Sequence, residues 1–301
     1  MNVVYMLNGS VGDFLMALLL MKEIHKQDPR YNLYISTPRR REEFQGLASG
    51  YPVRIIGQRF FPFIFSKNYV ILTPTIGKNP WHVKLLARIL ALRGSVIDFK
   101  KEFNTRLLFI EILYKALPYF GLKETIPDCL LNPEKTEVSY KKPYIVFHPF
   151  GSNKGRSILG SKQKEVINIL NDRFPDHDVL VSGSRDDTGV EGGVSIVGKH
   201  SLIEMASIIK GSDLFIGVDT GITHLASVLG KKSLVIASVG SESYWLPFYN
   251  PNAKIVYTVK GDGSGIHEGY KYLESKRNGR HRYLDNVDVS VIKKAISRLY
   301  A

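Results

Sequence analysis

One cysteine, Cys129, in 301 residues excludes a disulfide framework and a thiolate metal cluster, and it fits a reducing compartment. Long hydrophobic runs are missing too. The longest, Phe14 to Met21, falls far short of the ~20 residues a membrane-spanning helix needs, and Met1-Asn2 leads into an apolar strand with no basic leader segment. No internal repeat is detectable. No D-x-D pair sits at a strand end where it would call for Mg²⁺, and His267 and His281 have no metal-ligand spacing. No RRM, KH, zinc-finger or helix-turn-helix pattern is visible, so nucleic acid is not expected as a partner.

What is present suffices for two ordinary domains: 44% hydrophobic and 23% charged residues over this length are normal for a globular chain. The formal net charge is +13. Between Arg30 and Lys123 lie about 16 Lys and Arg against about 5 acids, so the excess belongs to the N-terminal half and asks for an anionic partner there.

The densest stretch is Ser212 to Leu234, S-D-L-F-I-G-V-D-T-G-I-T-H-L-A-S-V-L-G-K-K-S-L. Leu214 to Val218 has the apolar continuity of a buried parallel strand, and Thr223 to Leu229 the spacing of a helix packed on a sheet. Between them stand Asp219, Thr220 and Gly221. That order puts a carboxylate, a hydroxyl and an unhindered backbone at a helix N-terminus, where free N–H groups and the helix dipole favour a phosphate. His224 falls one turn on, at the same mouth. The competing reading is that Asp219 or Thr220 merely caps the helix.

Elsewhere the pattern is strand, loop, helix. Val3 to Leu7, then Asn8-Gly-Ser-Val-Gly-Asp13, then a helical period from Phe14 to about Lys26 open the chain; the loop is either a phosphate turn or a packing turn. Strands are expected at Leu33–Ser36, Val53–Ile56 and Tyr69–Leu72. Arg39, Arg40 and Arg41 follow the second strand, as a solvated face or as part of a ligand crevice. The run Arg59 to Phe65 reads as core or as a membrane-facing aromatic patch. Trp81–Leu92 and Asp98–Leu117 read as helical, and Pro118, Gly121, Pro127, Pro133 and Pro143 mark a linker. Tyr144–His148 opens a second series, running into Pro149-Phe-Gly-Ser-Asn-Lys-Gly-Arg156. Lys162–Arg173 reads as a helix, and Val179–Ser182 as a strand whose carboxyl end offers Ser182, Gly183 and Asp186 to a nucleoside. Ser233–Ala237 is a strand. Ser238–Trp245 suits a loop covering a base or ribose, Gly261–Arg282 is a polar loop, and Val289–Tyr300 is an amphipathic helix. Two domains, 1–140 and 141–301, follow, with the terminal helix free to pack back on the first.

The segment D-T-G-I-T-H-L-A with its upstream S-D-L-F-I-G resembles the D-[ST]-G-x-x-H-x-A signature of glycosyltransferase family 9, the ADP-heptose:lipopolysaccharide heptosyltransferases and their relatives. The opening N-G-S-V-G-D-F-L-M-A-L, the helix at Leu202–Ile209 and the loop I-V-F-H-P-F-G-S-N-K-G-R-S resemble the same family. In that loop Phe150 interrupts the usual Pro-Gly pair and Ile158 replaces an aromatic residue, which leaves Lys154 and Arg156 both open as the diphosphate cation; Arg156 offers the bidentate fork.

The resemblance implies the GT-B fold, an α/β architecture of two Rossmann-like domains facing a central cleft. It further implies a C-terminal half holding a nucleotide-sugar donor and an N-terminal half holding an anionic glycolipid or oligosaccharide acceptor. Asp13 matches the family's proposed catalytic base. The expected reaction is an inverting, metal-independent transfer of heptose or a related sugar to a lipopolysaccharide or other bacterial surface glycan. Donor contacts are expected from Lys154, Arg156, Asp219, Thr220, Gly221 and His224, acceptor contacts from Arg39, Arg40 and Arg41, with no cofactor. The expected location is the cytoplasm, with peripheral contact to the inner membrane. The rivals are another GT-B enzyme, such as a nucleotide-sugar epimerase, and a non-catalytic sugar-nucleotide or glycolipid binder.

Overall fold

The structure is a computed structural model that describes residues 1–7, 9–57, 67–72, 85, 87–89, 91, 94–98, 109–125, 130–133, 136–138, 140–151, 157–187, 190, 192–237, 252–257 and 288–299. The expectations for Arg59–Phe65, Lys154, Arg156, Ser238–Trp245, Gly261–Arg282 and most of Trp81–Leu92 lie outside these residues. Two compact units divide the chain, Met1–Glu134 and Lys135–Ala301.

In the first unit, β1 (Asn2–Met6) is buried along its whole length, as a Val-Val-Tyr-Met run covered on both faces must be. α1 (Val11–Gln27) follows, with Ser10 at its N-cap accepting from the Asp13 backbone N–H at 3.2 Å. Then come β2 (Asn32–Thr37), α2 (Arg41–Leu47), β3 (Val53–Gly57), β4 (Asn68–Leu72), β5 (Ser95–Asp98) and α3 (Phe109–Ala116), which runs into a 3₁₀ turn at Leu117–Phe120. All pairings are parallel, in the order β3-β2-β1-β4-β5. At the amino edge Asn32 Nδ2 donates to Asn2 Oδ1 (3.2 Å) and Asn2 Nδ2 to Asn68 Oδ1 (2.8 Å), a polar ladder that locks the register of three strands. The chain after α3 is tied to α1: Gln27 Nε2 donates to the Lys123 carbonyl and to Thr125 Oγ1, both at 3.0 Å.

The second unit contains β6 (Tyr144–His148), α4 (Gly160–Arg173), β7 (Asp178–Val181), β8 (Val194–Ser195), α5 (Leu202–Gly211), β9 (Leu214–Val218), α6 (Gly221–Val228), β10 (Ser233–Ala237), β11 (Ala253–Tyr257) and α7 (Val289–Leu299). Its sheet runs β11-β10-β9-β6-β7-β8, again parallel. α5 starts with a full capping box, Ser201 and Glu204 each satisfying the other's backbone N–H. The buried face of α7, Val289, Ile292 and Ile296, belongs to the core of this second unit, with Phe147, Leu170 and Ile236.

Counted from each unit's own first strand, both sheets have the order 3-2-1-4-5, extended by a sixth strand in the second. Chain direction across the sheet reverses between strands one and four. That point is β1/β4 in the first unit and β6/β9 in the second, and in open α/β sheets ligands bind outside the carboxyl ends of the strands there.

Candidate functional site

At the second unit's switch point, β9 ends in Val218 and α6 begins at Gly221, with Asp219 and Thr220 between. The turn is drawn in by Thr223, whose hydroxyl donates to the Val218 carbonyl. Gly217 leaves the space this needs, since a Cβ there would lie 2.9 Å from Thr223 Oγ1 and 2.7 Å from the Phe215 ring. Asp219 Oδ1 sits 4.0 Å from His224 Nε2, both buried. Thr220 occupies the N-cap position with no side-chain capping bond, and its Oγ1 is buried without a hydrogen-bond partner. The capping reading therefore fails for Thr220. A helix start with uncapped N–H groups and an unpartnered hydroxyl, beside a carboxylate and an imidazole, is an arrangement for an anionic ligand carrying hydroxyls.

The neighbouring strand ends contribute a second group. His148 closes β6 and is 6% exposed; its Nδ1 lies 2.9 Å from Ser182 Oγ, just beyond β7. Burial pushes the His148 pKa down to about 4, with Asp187 and the Ser182 backbone opposing, so the ring is neutral at neutral pH. Ser182, expected as a donor contact, is thus engaged with His148 and itself 2% exposed. Gly183 sits under Phe150, whose ring a Cβ would approach to 2.7 Å. Asp186 is exposed in the turn, while Asp187 accepts from Ser184 N at 2.6 Å and Ser184 Oγ at 2.9 Å. The β6 loop is closed at its base: Ile158 N donates to the Pro149 carbonyl (2.8 Å) and Gly151 N to Ser157 Oγ (2.9 Å).

In the first unit, Asp13 is 2% exposed in the first turn of α1, where the dipole favours its charge. The preceding loop turns at Gly9, φ +94°, against the base of Arg39: a Cβ there would lie 3.3 Å from Arg39 Cβ. Thr37 Oγ1 donates to the Arg39 carbonyl at 2.6 Å and fixes this approach. The three arginines separate. Arg40, in the left-handed region at φ 56°, pairs with Glu43 at 3.1 Å, and Arg41 Nε donates to the Ile55 carbonyl at 3.3 Å. Arg39 is exposed beside the Gly9 loop. Sequence reasoning missed His148; its signal was a histidine ending an otherwise apolar strand.

Two parallel sheets of Rossmann order in one chain, one with an uncapped helix start at its switch point, define an α/β protein of two Rossmann-like units. A family-wide sequence profile described as glycosyltransferase family 9 (heptosyltransferase) matches residues 114–263, and the chain belongs to that family. No curated protein sequence matches the chain. Its fold is that of solved members. One is a family 9 glycosyltransferase from Veillonella parvula (13% identity, TM-score 0.68, covering 99% of this chain and 96% of that one). Another is the E. coli ADP-heptose lps heptosyltransferase II (13% identity, TM-score 0.70, 99% and 98%). A third is the E. coli heptosyltransferase WaaC with ADP (15% identity, TM-score 0.64, 91% and 99%). The GT-B class expected from the sequence is thereby shown.

Proposed function

We propose that this family 9 glycosyltransferase transfers a sugar, heptose or a close relative, from a nucleoside-diphosphate donor to an anionic bacterial glycolipid or oligosaccharide. The observation that carries the reading is Thr220, a buried, unpartnered hydroxyl at an uncapped helix start on the second unit's switch point. ADP-heptose is the donor named for one solved relative, which makes ADP the first nucleotide to try.

In the proposed reaction the acceptor hydroxyl oxygen bonds to the anomeric carbon as the carbon–oxygen bond to the diphosphate breaks. The hydroxyl proton goes to Asp13, and the bonding pair leaves with the diphosphate. Thr220 Oγ1, the first N–H groups of α6 and the cation of Arg156 or Lys154 take up the charge on that leaving group, with no metal required. Asp219 holds sugar hydroxyls and His224 stands beside it. The basic first half receives the acceptor's phosphates or carboxylates, which suits an enzyme working in the cytoplasm at a membrane surface. None of the described helices is long and apolar enough to cross a membrane.

The test is acceptor-dependent release of nucleoside diphosphate from ADP-heptose and other nucleotide sugars, with the product's anomeric configuration read by NMR. Donor turnover without acceptor would favour an epimerase, retention of configuration would remove the inverting mechanism, and nucleotide binding without turnover would leave a binding module.

A further inference from the structure

β6 is apolar through Phe147 and then ends on a buried histidine. Phe147 is in register with Val181, so the next pair along the strands is His148 with Ser182, and their side chains meet at 2.9 Å. On its other side His148 is in register with Gly217 of β9. A row Ser182, His148, Gly217 therefore runs along the carboxyl edge of the sheet, across the switch point. An apolar pair would tie two strands without desolvating an imidazole and a hydroxyl, so filling the core does not account for the choice.

The bond sits where both described loop starts, Pro149–Gly151 and Ser182–Asp187, leave this edge. Ser182 N donates to the Phe147 carbonyl at 2.9 Å, holding β7's end to β6 through the backbone while His148 holds it through the side chain. Beyond Ser182, Gly183 receives the Phe150 ring of the β6 loop, and the turn is closed by Ser184 and Asp187.

We infer that His148 is a positioning residue of the donor site: acting through Ser182, it presets the Pro149–Gly151 segment and the β7 turn for the nucleoside diphosphate. This rests on the reading that the second unit's switch point holds the nucleotide. In the useful tautomer Ser182 Oγ–H donates to Nδ1, and the ring proton stays on Nε2.

The experiment is calorimetric titration of ADP into the wild-type chain, His148→Ala, Ser182→Ala, the double variant and His148→Asn, whose amide can replace Nδ1 toward Ser182. Each alanine variant should weaken ADP about tenfold, the upper range for one hydrogen bond; the double variant should be no weaker than either single one; and His148→Asn should stay within about threefold of wild type. Additive losses, or unchanged ADP affinity in variants with native circular dichroism, would overturn the inference and leave the donor-site reading standing. A wild-type chain that binds none of ADP, UDP or GDP overturns both. If His148→Ala does not fold, Ser182→Ala decides by the same criteria.

Discussion

Asp219 Oδ1 and His224 Nε2 lie 4.0 Å apart, less than a tenth of either side chain is exposed, and the residue after Asp219 starts a helix without capping it. A carboxylate next to a helix N-terminus ordinarily serves that N-terminus. Here Asp219 faces an imidazole one turn on, and Thr220, at the N-cap, makes no capping bond. The N-terminus of α6 thus takes no side-chain bond from its own N-cap residue.

Thr220→Val tests this directly. Valine keeps the branched shape and deletes the hydroxyl. Removing a buried, unpartnered oxygen should leave the melting temperature of the free protein unchanged or raised. ADP affinity should meanwhile fall by about 1.5 to 3 kcal/mol, the range for a hydrogen bond to a charged group. A variant that melts lower and binds ADP as well as wild type would return Thr220 to a structural role.

His148 gives a pH signature. Its pKa is about 4 in the folded chain against 6.5 for an unperturbed histidine, so between these values the unfolded chain binds the extra proton. The corresponding stability is whole above pH ~6.5 and is lost as pH falls toward ~4. Urea midpoints at pH 7.5 and pH 5 should therefore drop further for wild type than for His148→Asn, which has no proton to gain. Equal drops would show that His148 is not held neutral.

Much of this is legible in the sequence. β9 and β6 show their bounds there, because strands buried on both faces are continuous apolar runs. Asp219, Thr220 and His224 stand out together because a strand, a turn and a helix follow one another within Leu214–Val228. β5 is not legible: it ends one row of strands, only Ile97 of its four residues is buried, and its last residue, Asp98, opens the stretch whose spacing reads as helical. The bond between His148 and Ser182 was invisible because 34 residues separate them and only the parallel register of β6 and β7 aligns them. Likewise nothing in the triplet Arg39-Arg40-Arg41 distinguishes its members, whereas Glu43 and the Ile55 carbonyl take up two of them.

That division of the triplet yields a prediction for the acceptor. Arg39→Gln alone should raise the acceptor KM with little change in kcat or in donor affinity, since what is lost is binding common to ground and transition states. Arg40→Gln and Arg41→Gln should act on stability, by a few tenths of a kcal/mol for an exposed pair such as Arg40 with Glu43. Comparable KM increases for all three would mean that the basic loop acts as a diffuse field.

Asp13 carries the sharpest prediction. Ser10, not Asp13, is the N-cap of α1, and what Asp13 gives that cap is its backbone N–H. Asp13→Asn keeps that N–H and nearly keeps the side-chain shape, but it removes the proton acceptor. If Asp13 is the base, kcat should fall by about 10² to 10⁴, with ADP affinity unchanged because the proposed nucleotide site is on the second unit. Ser10→Ala supplies the contrast: loss of an N-cap costs roughly 0.5 to 2 kcal/mol, so it should lower the melting temperature while leaving kcat of the folded fraction close to wild type. Side-by-side kcat and melting measurements on the two variants separate chemistry from helix stability, and near wild-type turnover in Asp13→Asn would remove the residue from the reaction.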